Sequence, residues 1–234
     1  MCKFPDNYKG HIMHQEPDET EIDSLMLESF DQLADDLSEK GYGTIDHFLS
    51  GDEFTNIREV ASNHKEDGNF KKAGIGTSQD FQINKQIRGD YIRWIDPEKA
   101  AIATKVYVQR MRELMQYINR TCYLSLKDVE MHYTIYPVGT VYKRHLDQFR
   151  HDDHRRLSVI CYLNDAWLPE HGGQLRMYLP RENQPEETVD IVPTGGKLAC
   201  FRSDLIEHEV LPATRERYSL TGWMLDQYQE LTFL

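Results

Sequence analysis

The sequence predicts an α+β protein in which a helical N-terminal half supports a β-sandwich, and three observations carry that expectation. Apolar residues recur at a helical period of roughly 3.6 before Cys122 and alternate at a period of roughly 2 after it. The short apolar runs of the second half are separated by turn signals such as NDAW, HGG, PTGG and PATR. The chain has 234 residues, 39% of them hydrophobic. A chain of that size buries roughly 70% of the surface it exposes when unfolded, so it needs no staples.

Residues 1–19 are polar and unpatterned, which predicts a flexible arm ahead of a single domain over 20–234. From Thr20, the residues Ile22, Leu25, Met26, Phe30, Leu33 and Leu37 fall at helical spacing, with Thr20 as N-cap and Gly41 as the stop. Tyr42–Leu49 reads as a short strand. Glu53–His64 reads as a second helix directing Phe54, Ile57, Val60 and Ala61 inward. Residues 65–90 are polar and glycine-containing, a long connection of the kind that usually has a function. Asp96 as N-cap and Pro97 in the first turn predict a third helix over 97–120, with Ile102, Val106, Met111, Leu114 and Ile118 on its apolar face. Beyond Cys122 the runs VEMHYTIYP, LSVICYL, GQLRMYL, TVDIV, KLACF, HEVL and RYSLTGWML predict the strands of a sandwich or barrel. The division within the domain is therefore helical support over 20–121 and a β-core over 122–226.

Composition narrows the function classes. A net charge of −12 disfavours nucleic acid and anionic membranes as partners. Four scattered cysteines, without a C-x-x-C pair, fit neither a zinc ribbon nor a disulfide framework. Cys161 and Cys200 lie in apolar runs and read as small buried side chains. No stretch has the apolar length of a membrane span, and the first residues lack the apolar core of a secretory signal. The expected location is the cytoplasm, a reducing compartment.

One constellation carries chemistry. In extended chain, residues i and i+2 share a face, so His145 and Asp147 of KRHLD can aim an imidazole and a carboxylate at a common point. By itself an H-x-D is weak, and a surface pair is the commoner explanation. His208, at the start of a late strand, supplies a third ligand of the right type. Two histidines and one carboxylate leave the opposite face of a metal open, the arrangement of non-haem iron(II) oxygenases. Arg217 follows His208 by nine residues across a Pro212-Ala213-Thr214 turn, which returns it to the neighbouring strand with Ser219, Thr221 and Trp223 as the next inward positions. A buried guanidinium is costly without an anion, and a carboxylate of 2-oxoglutarate would supply one. Arg215 reads as an ordinary surface arginine. Tyr136, Tyr142 and Tyr162 lie on strands bordering the metal, whereas Tyr133 reads as a core aromatic.

These pieces, TIYPVGTVYKRHLD, LSVICYLNDAW, HGGQLRMY and LIEHEVLPATRERYSLTGW, occur in an order that resembles the prolyl 4-hydroxylase branch of the 2-oxoglutarate oxygenases. Within that branch the sequence is most similar to the prolyl hydroxylases of hypoxia-inducible factor and their bacterial relatives. Gln86-Ile87-Arg88-Gly89-Asp90, followed by Ile92 and Trp94, resembles their substrate loop. The resemblance spans residues 41–226 and implies a double-stranded β-helix (jelly-roll) core with supporting N-terminal helices.

It implies iron(II) on His145, Asp147 and His208. It also implies 2-oxoglutarate held by Arg217 and the Tyr162 hydroxyl, with Tyr136, Thr221 and Trp223 around it. O2 would be the co-substrate and ascorbate the rescuing reductant. Tyr142 would stand near the entering substrate, with Arg155 and the Arg88–Asp90 loop contacting a proline-containing protein and ion-paired among themselves. A longer turn after Asp147 leaves Arg155 and Arg156 open as the matching residue. Bacterial relatives suggest a translation factor such as elongation factor Tu as the target. A free amino acid or other small metabolite is the rival substrate.

Other residues have plainer readings. HDDH at 151–154 reads as a solvated loop, and His132 as a satisfied structural histidine facing away from its strand neighbours. The glycines of AGIGTS do not link a strand to a helix as a phosphate loop must, and there is no G-x-S-x-G.

Overall fold

Phe30, Leu33 and Leu37 occupy one buried side of helix α1 (Glu19–Lys40), while Leu25 faces solvent. The helix stops where Gly41 takes a φ of +79°, a conformation free of strain only for a residue without Cβ. It begins at Glu19, so Thr20 lies inside the first turn instead of capping it. The computed structural model describes residues 19–74, 87–148, 154–181 and 184–228. The expected arm, apart from Glu19, lies outside those residues.

Strand β1 (Tyr42–Ile45) is shorter than predicted, because His47 turns the chain with a φ of 57° and leaves Phe48 and Leu49 buried beyond the strand. Helix α2 (Gly51–Glu66) starts at a reciprocal cap. The Glu53 N–H donates to Ser50 Oγ at 3.3 Å, and the Ser50 N–H donates to Glu53 Oε2 at 2.9 Å. Replacing Ser50 by alanine is expected to lower unfolding stability by about 1 kcal/mol, read by urea denaturation. Ile57 and Ala61 are fully buried, with Phe54 and Val60 packed partly against the same core.

The third helix departs from expectation. Helix α3 spans Ile102–Cys122, not 97–120. Asp96 does cap, but it caps a turn: its Oδ1 accepts the Glu98 N–H at 3.0 Å, and the chain then stays extended at Ala101 before the helix begins. The buried stripe consequently runs through Thr104, Tyr107, Val108, Met111, Leu114, Met115 and Ile118. Ile102 and Val106 fall off that stripe and are exposed.

The strands form two antiparallel sheets. The larger contains β1, β2 (Lys71–Lys72), β3 (Tyr91–Trp94), β4 (Asp128–Tyr136), β6 (Arg155–Tyr162), β9 (Leu198–Arg202) and β11 (Arg217–Leu225), in the order β1-β9-β6-β11-β4-β3-β2. The smaller contains β5 (Tyr142–His145), β7 (Leu175–Leu179), β8 (Glu187–Ile191) and β10 (Glu207–Val210), in the order β5-β10-β7-β8. Strand β2 belongs to the segment expected to be loop, and β3 follows directly after that segment. They are too short to show a period: β3 is held by pairing with β4, and β2 by pairing with β3.

Alternation along the central strands divides the interior. Met131, Tyr133 and Ile135 of β4, Val159 and Cys161 of β6, and Leu220 and Met224 of β11 join the helices in one apolar cluster. The intervening residues face the small sheet, where Tyr136, Ile160, Tyr162 and Phe201 meet Leu175, Met177 and Val210. Helices, large sheet and small sheet thus make three layers. The polar side chains considered next all lie between the two sheets or at their open end.

Candidate active site

Pairing of β5 with β10 sets His145 directly opposite His208. Strand β5 ends at His145, so Asp147 reaches the same point through a bend and not, as expected, through strand alternation. The result is tight: Asp147 Oδ1 lies 3.5 Å from His145 Nε2, and Asp147 Oδ2 lies 3.5 Å from His208 Nε2. Ligating atoms of the three residues all fall within 4.8 Å of one another, and no other such group of His, Cys, Asp or Glu occurs among the described residues.

Both imidazoles are oriented from behind. His145 Nδ1 lies 2.7 Å from the Lys143 carbonyl and His208 Nδ1 lies 3.2 Å from the Ile206 carbonyl. A carbonyl only accepts, so each Nδ1 carries the hydrogen and each Nε2 presents a lone pair towards Asp147. Burial, reinforced by His145, pushes the His208 imidazole down to about 4, which keeps it neutral. Burial alone would raise the Asp147 carboxyl, but His208, His145 and Arg155 outweigh it and hold the group well below the usual carboxylate range. Two imidazoles and one carboxylate, without thiolate, suit ferrous iron.

A support the sequence did not disclose lies behind the carboxylate. Ser158 Oγ donates to Asp147 Oδ2 at 2.7 Å and sits 2.9 Å from Ser203 Oγ. Both serines are fully buried. The only signal was a hydroxyl on the buried face of LSVICYL. Ser158→Ala is expected to weaken metal binding by roughly 10- to 100-fold without unfolding the protein, as measured by Mn(II) titration alongside a thermal melt.

Arg217, on β11, is 1% exposed. Its Nε donates to the Gly173 carbonyl at 2.9 Å, its Nη2 has no partner, and its guanidinium lies 5.1 Å from the Tyr136 ring centre and 5.0 Å from that of Tyr162. Gly173 has a φ of +71°, and a Cβ there would come within 3.2 Å of Arg217 Cδ, so glycine is what allows the carbonyl to be presented. The buried Tyr162 hydroxyl is also unpartnered. Burial pushes it up to about 12, leaving a neutral phenol able to donate. A permanent charge with an idle donor, beside a second idle donor, is a site shaped for a carboxylate.

All the predicted site residues except Tyr162 and Arg155 line one cavity between the sheets. Tyr162 lies against Arg217, as described. Tyr142 stacks on His145 with ring centres 3.6 Å apart, and the Arg88 guanidinium lies 4.6 Å from the centre of the same tyrosine ring. Arg88 and Asp90 form a two-pronged ion pair, at 2.8 Å and 3.0 Å, with the Asp90 side chain wholly buried. The 88–90 segment is held beside β5 by the Gly89 N–H donating at 3.0 Å to the carbonyl of Val141, the residue before that strand.

Arg155 does not join that pair. It binds Glu130 at 2.8 Å and lies 3.6 Å above the Trp223 ring, at the open end of the large sheet. Arg156 instead reaches Asp226, on the other face, so Arg155 is the one directed towards the cavity. Of HDDH, residues 151–153 lie outside the described residues, and His154 Nδ1 is 2.9 Å from Asp226. His132 faces away from Met131 and Tyr133 as expected, but it is not a satisfied structural histidine: with Thr134 and Tyr136 it lines the cavity, and its Nε2 has no hydrogen-bond partner among the described residues. A wider groove of about 930 Å³, between α1 and the end of α3, holds no ligating cluster among the described residues.

A family model described as the 2OG-Fe(II) oxygenase superfamily matches residues 131–225. The hypoxia-inducible factor prolyl hydroxylase of Caenorhabditis elegans is 29% identical over 202 residues, covering 82% of this chain and 27% of its own length. The chain spans between 27% and 56% of the length of the first four curated relatives. Among solved structures, a Pseudomonas putida prolyl-4-hydroxylase superposes with a TM-score of 0.76 at 39% identity, covering 85% of this chain and 100% of the other. A Trichoplax adhaerens prolyl hydroxylase, solved with a hypoxia inducible factor peptide fragment, gives 0.78 at 28% identity over 90% and 94% of the two chains. The two-sheet architecture is therefore the double-stranded β-helix of these enzymes. With its ligand triad inside the matched segment, the chain belongs to the 2OG-Fe(II) oxygenase superfamily.

Proposed function

We propose that this protein is a prolyl hydroxylase that couples oxidative decarboxylation of 2-oxoglutarate to hydroxylation of a prolyl residue in a protein substrate. The observation that carries the reading is Arg217: a fully buried guanidinium with an unpartnered Nη2, in the cavity that also holds the His145, Asp147 and His208 ligand atoms. Its choice of substrate is supported by the prolyl hydroxylases to which the chain is similar along most of its length.

Iron(II), 2-oxoglutarate and O2 supply the oxidising chemistry when bound: the keto acid becomes succinate and carbon dioxide, and one oxygen atom enters a substrate C–H bond. His145, Asp147 and His208 would hold the metal, which leaves it able to take the co-substrate and oxygen as well. Arg217 and the Tyr162 hydroxyl donate to the distal carboxylate, fixing its direction through the planar fork of the guanidinium. Tyr136 and Thr221 flank it, and Ile160, Leu175 and Val210 keep water from the reacting centre. Tyr142, Trp223, Arg155 and the Arg88–Asp90 pair border the substrate's approach. Ascorbate serves as reductant after unproductive turnovers, and the cytoplasm is the proposed location.

The test incubates the purified protein with iron(II), 2-oxoglutarate and a lysate lacking the enzyme, then searches for proteins that gain one oxygen on proline. Oxygen gained only by free amino acids or other metabolites would overturn the protein substrate in favour of a small one.

A further inference from the structure

Two buried polar atoms in the cavity are left unused by the reading above. His132 Nε2 and Trp223 Nε1 both lack a hydrogen-bond partner among the described residues, although His132 is 1% and Trp223 5% exposed. Both side chains line the cavity that holds the ligand triad. Leaving a buried polar atom unpaired costs about 1–3 kcal/mol, so two at one place point to a ligand.

Their hydrogen-bonding characters are opposite. His132 Nδ1 lies 3.2 Å from the Tyr133 carbonyl and 2.9 Å from Thr134 Oγ1, whose own hydrogen goes to Thr221 Oγ1 at 3.2 Å. Neither oxygen has a hydrogen for Nδ1, so Nδ1 is the N–H and Nε2 is a bare acceptor. Burial, reinforced by Arg88, pushes this imidazole down to about 3, which keeps it neutral. The Trp223 indole can only donate. The rings are neighbours, 5.5 Å between centres and tilted by 56°, but they do not satisfy each other.

Their place in the sheet is equally specific. Register sets Tyr136 opposite Arg217, His132 opposite Thr221 and Glu130 opposite Trp223. The inward side chains of β4 therefore lead from the guanidinium to the open end, and His132 and Trp223 lie at that end. Trp94, 43% exposed, packs edge-on against His132 at 4.9 Å and carries the site to the surface. His132 is not a fourth metal ligand, since the convergent set contains three residues without it.

We infer that His132 and Trp223 form a backbone-reading subsite for the substrate, the indole N–H donating to the carbonyl before the target proline and the imidazole Nε2 accepting the N–H after it. This rests on the prolyl reading proposed above. Proline has no N–H of its own, but the preceding carbonyl and the following N–H project from the same edge of an extended chain. One acceptor and one donor, side by side, match that edge.

The probes are N-acetylproline N-methylamide, which carries both groups, and N-acetylproline methyl ester, which lacks the N–H. Their affinities are measured on protein loaded with Mn(II) and 2-oxoglutarate, and nitrogen NMR of the same protein loaded with diamagnetic Zn(II) reads the His132 ring. Wild-type protein is expected to bind the amide roughly 5- to 10-fold more tightly than the ester, the value of one hydrogen bond. His132→Leu should erase the difference, His132→Gln, which retains an acceptor, should keep part of it, and Trp223→Phe should weaken both probes alike. In the free protein Nε2 should resonate as an unprotonated nitrogen, and the amide alone should shift it.

Equal affinities for amide and ester in the wild type, or a protonated Nε2, would overturn the subsite and leave at most a bridging water there. Lysate experiments that yield oxidised metabolites but no hydroxyproline would instead count against the prolyl reading itself.

Discussion

Arg217→Met raises the KM for 2-oxoglutarate by about two orders of magnitude, because truncating one side of a buried charge pair costs about 2–5 kcal/mol. The same substitution leaves the protein without co-substrate as stable as the wild type, or more stable by roughly 1–3 kcal/mol. Both effects have one origin. Arg217 is 1% exposed with an unpartnered Nη2, so the empty site holds a desolvated charge that only a bound carboxylate neutralises. Methionine fills the volume between Tyr136 and Tyr162 and needs no anion.

Thermal melts should therefore cross. Saturating 2-oxoglutarate raises the wild-type melting temperature through preferential binding to the folded state and leaves the Arg217→Met protein unmoved. Arg217→Lys does not restore the KM, since a single ammonium replaces a two-pronged fork. An unchanged KM in Arg217→Met, with both proteins equally stabilised by 2-oxoglutarate, would remove the co-substrate from this cavity.

Asp147→Ala brings 2-oxoglutarate turnover to background and removes iron from the purified protein. Asp147 faces both imidazoles at 3.5 Å and supplies the only carboxylate of the convergent set. Without it two imidazole nitrogens remain, which bind a divalent ion far less tightly than a set that includes an anion. The fold survives, because Asp147 belongs to neither apolar cluster. The cost is confined to the Ser158 hydroxyl, left with Ser203 as its neighbour. Metal content, succinate release and the thermal melt together separate loss of the centre from loss of the fold. Substrate-dependent succinate production at the wild-type rate would show that the three side chains are not a metal site.

Much of the fold was legible because it depends on local period. Residues 30, 33 and 37 fix the buried face of α1, and the runs after Cys122 each became a strand. What failed was local competition. Asp96 and Pro97 are good helix starters, yet the same side chain also closes a turn, and the turn prevailed. The short strands β2 and β3 carried no periodic signal, because β3 is fixed by pairing with β4 about forty residues further along the chain and β2 pairs in turn with β3.

At the site, residue type and order were enough to nominate His145, Asp147, His208 and Arg217, since few side chains can ligate iron or hold a carboxylate. Alternation turns His132 away from Met131 and Tyr133, as the structure has it, but local pattern does not tell that this face lines the cavity or that Nε2 lacks a partner there.

The sequence by itself determined which chemical groups this protein possesses and along which elements they run, because local periodicity and side-chain chemistry are properties of consecutive residues. Only the tertiary structure decided that His145 lies opposite His208, that Ser158 stands behind Asp147, that the Gly173 carbonyl holds Arg217, and that His132 and Trp223 face one space. Those relations are set by the register between strands distant in the chain and by packing between two sheets. Shifting a register by one residue would leave every local pattern intact and turn each of these side chains to the opposite face.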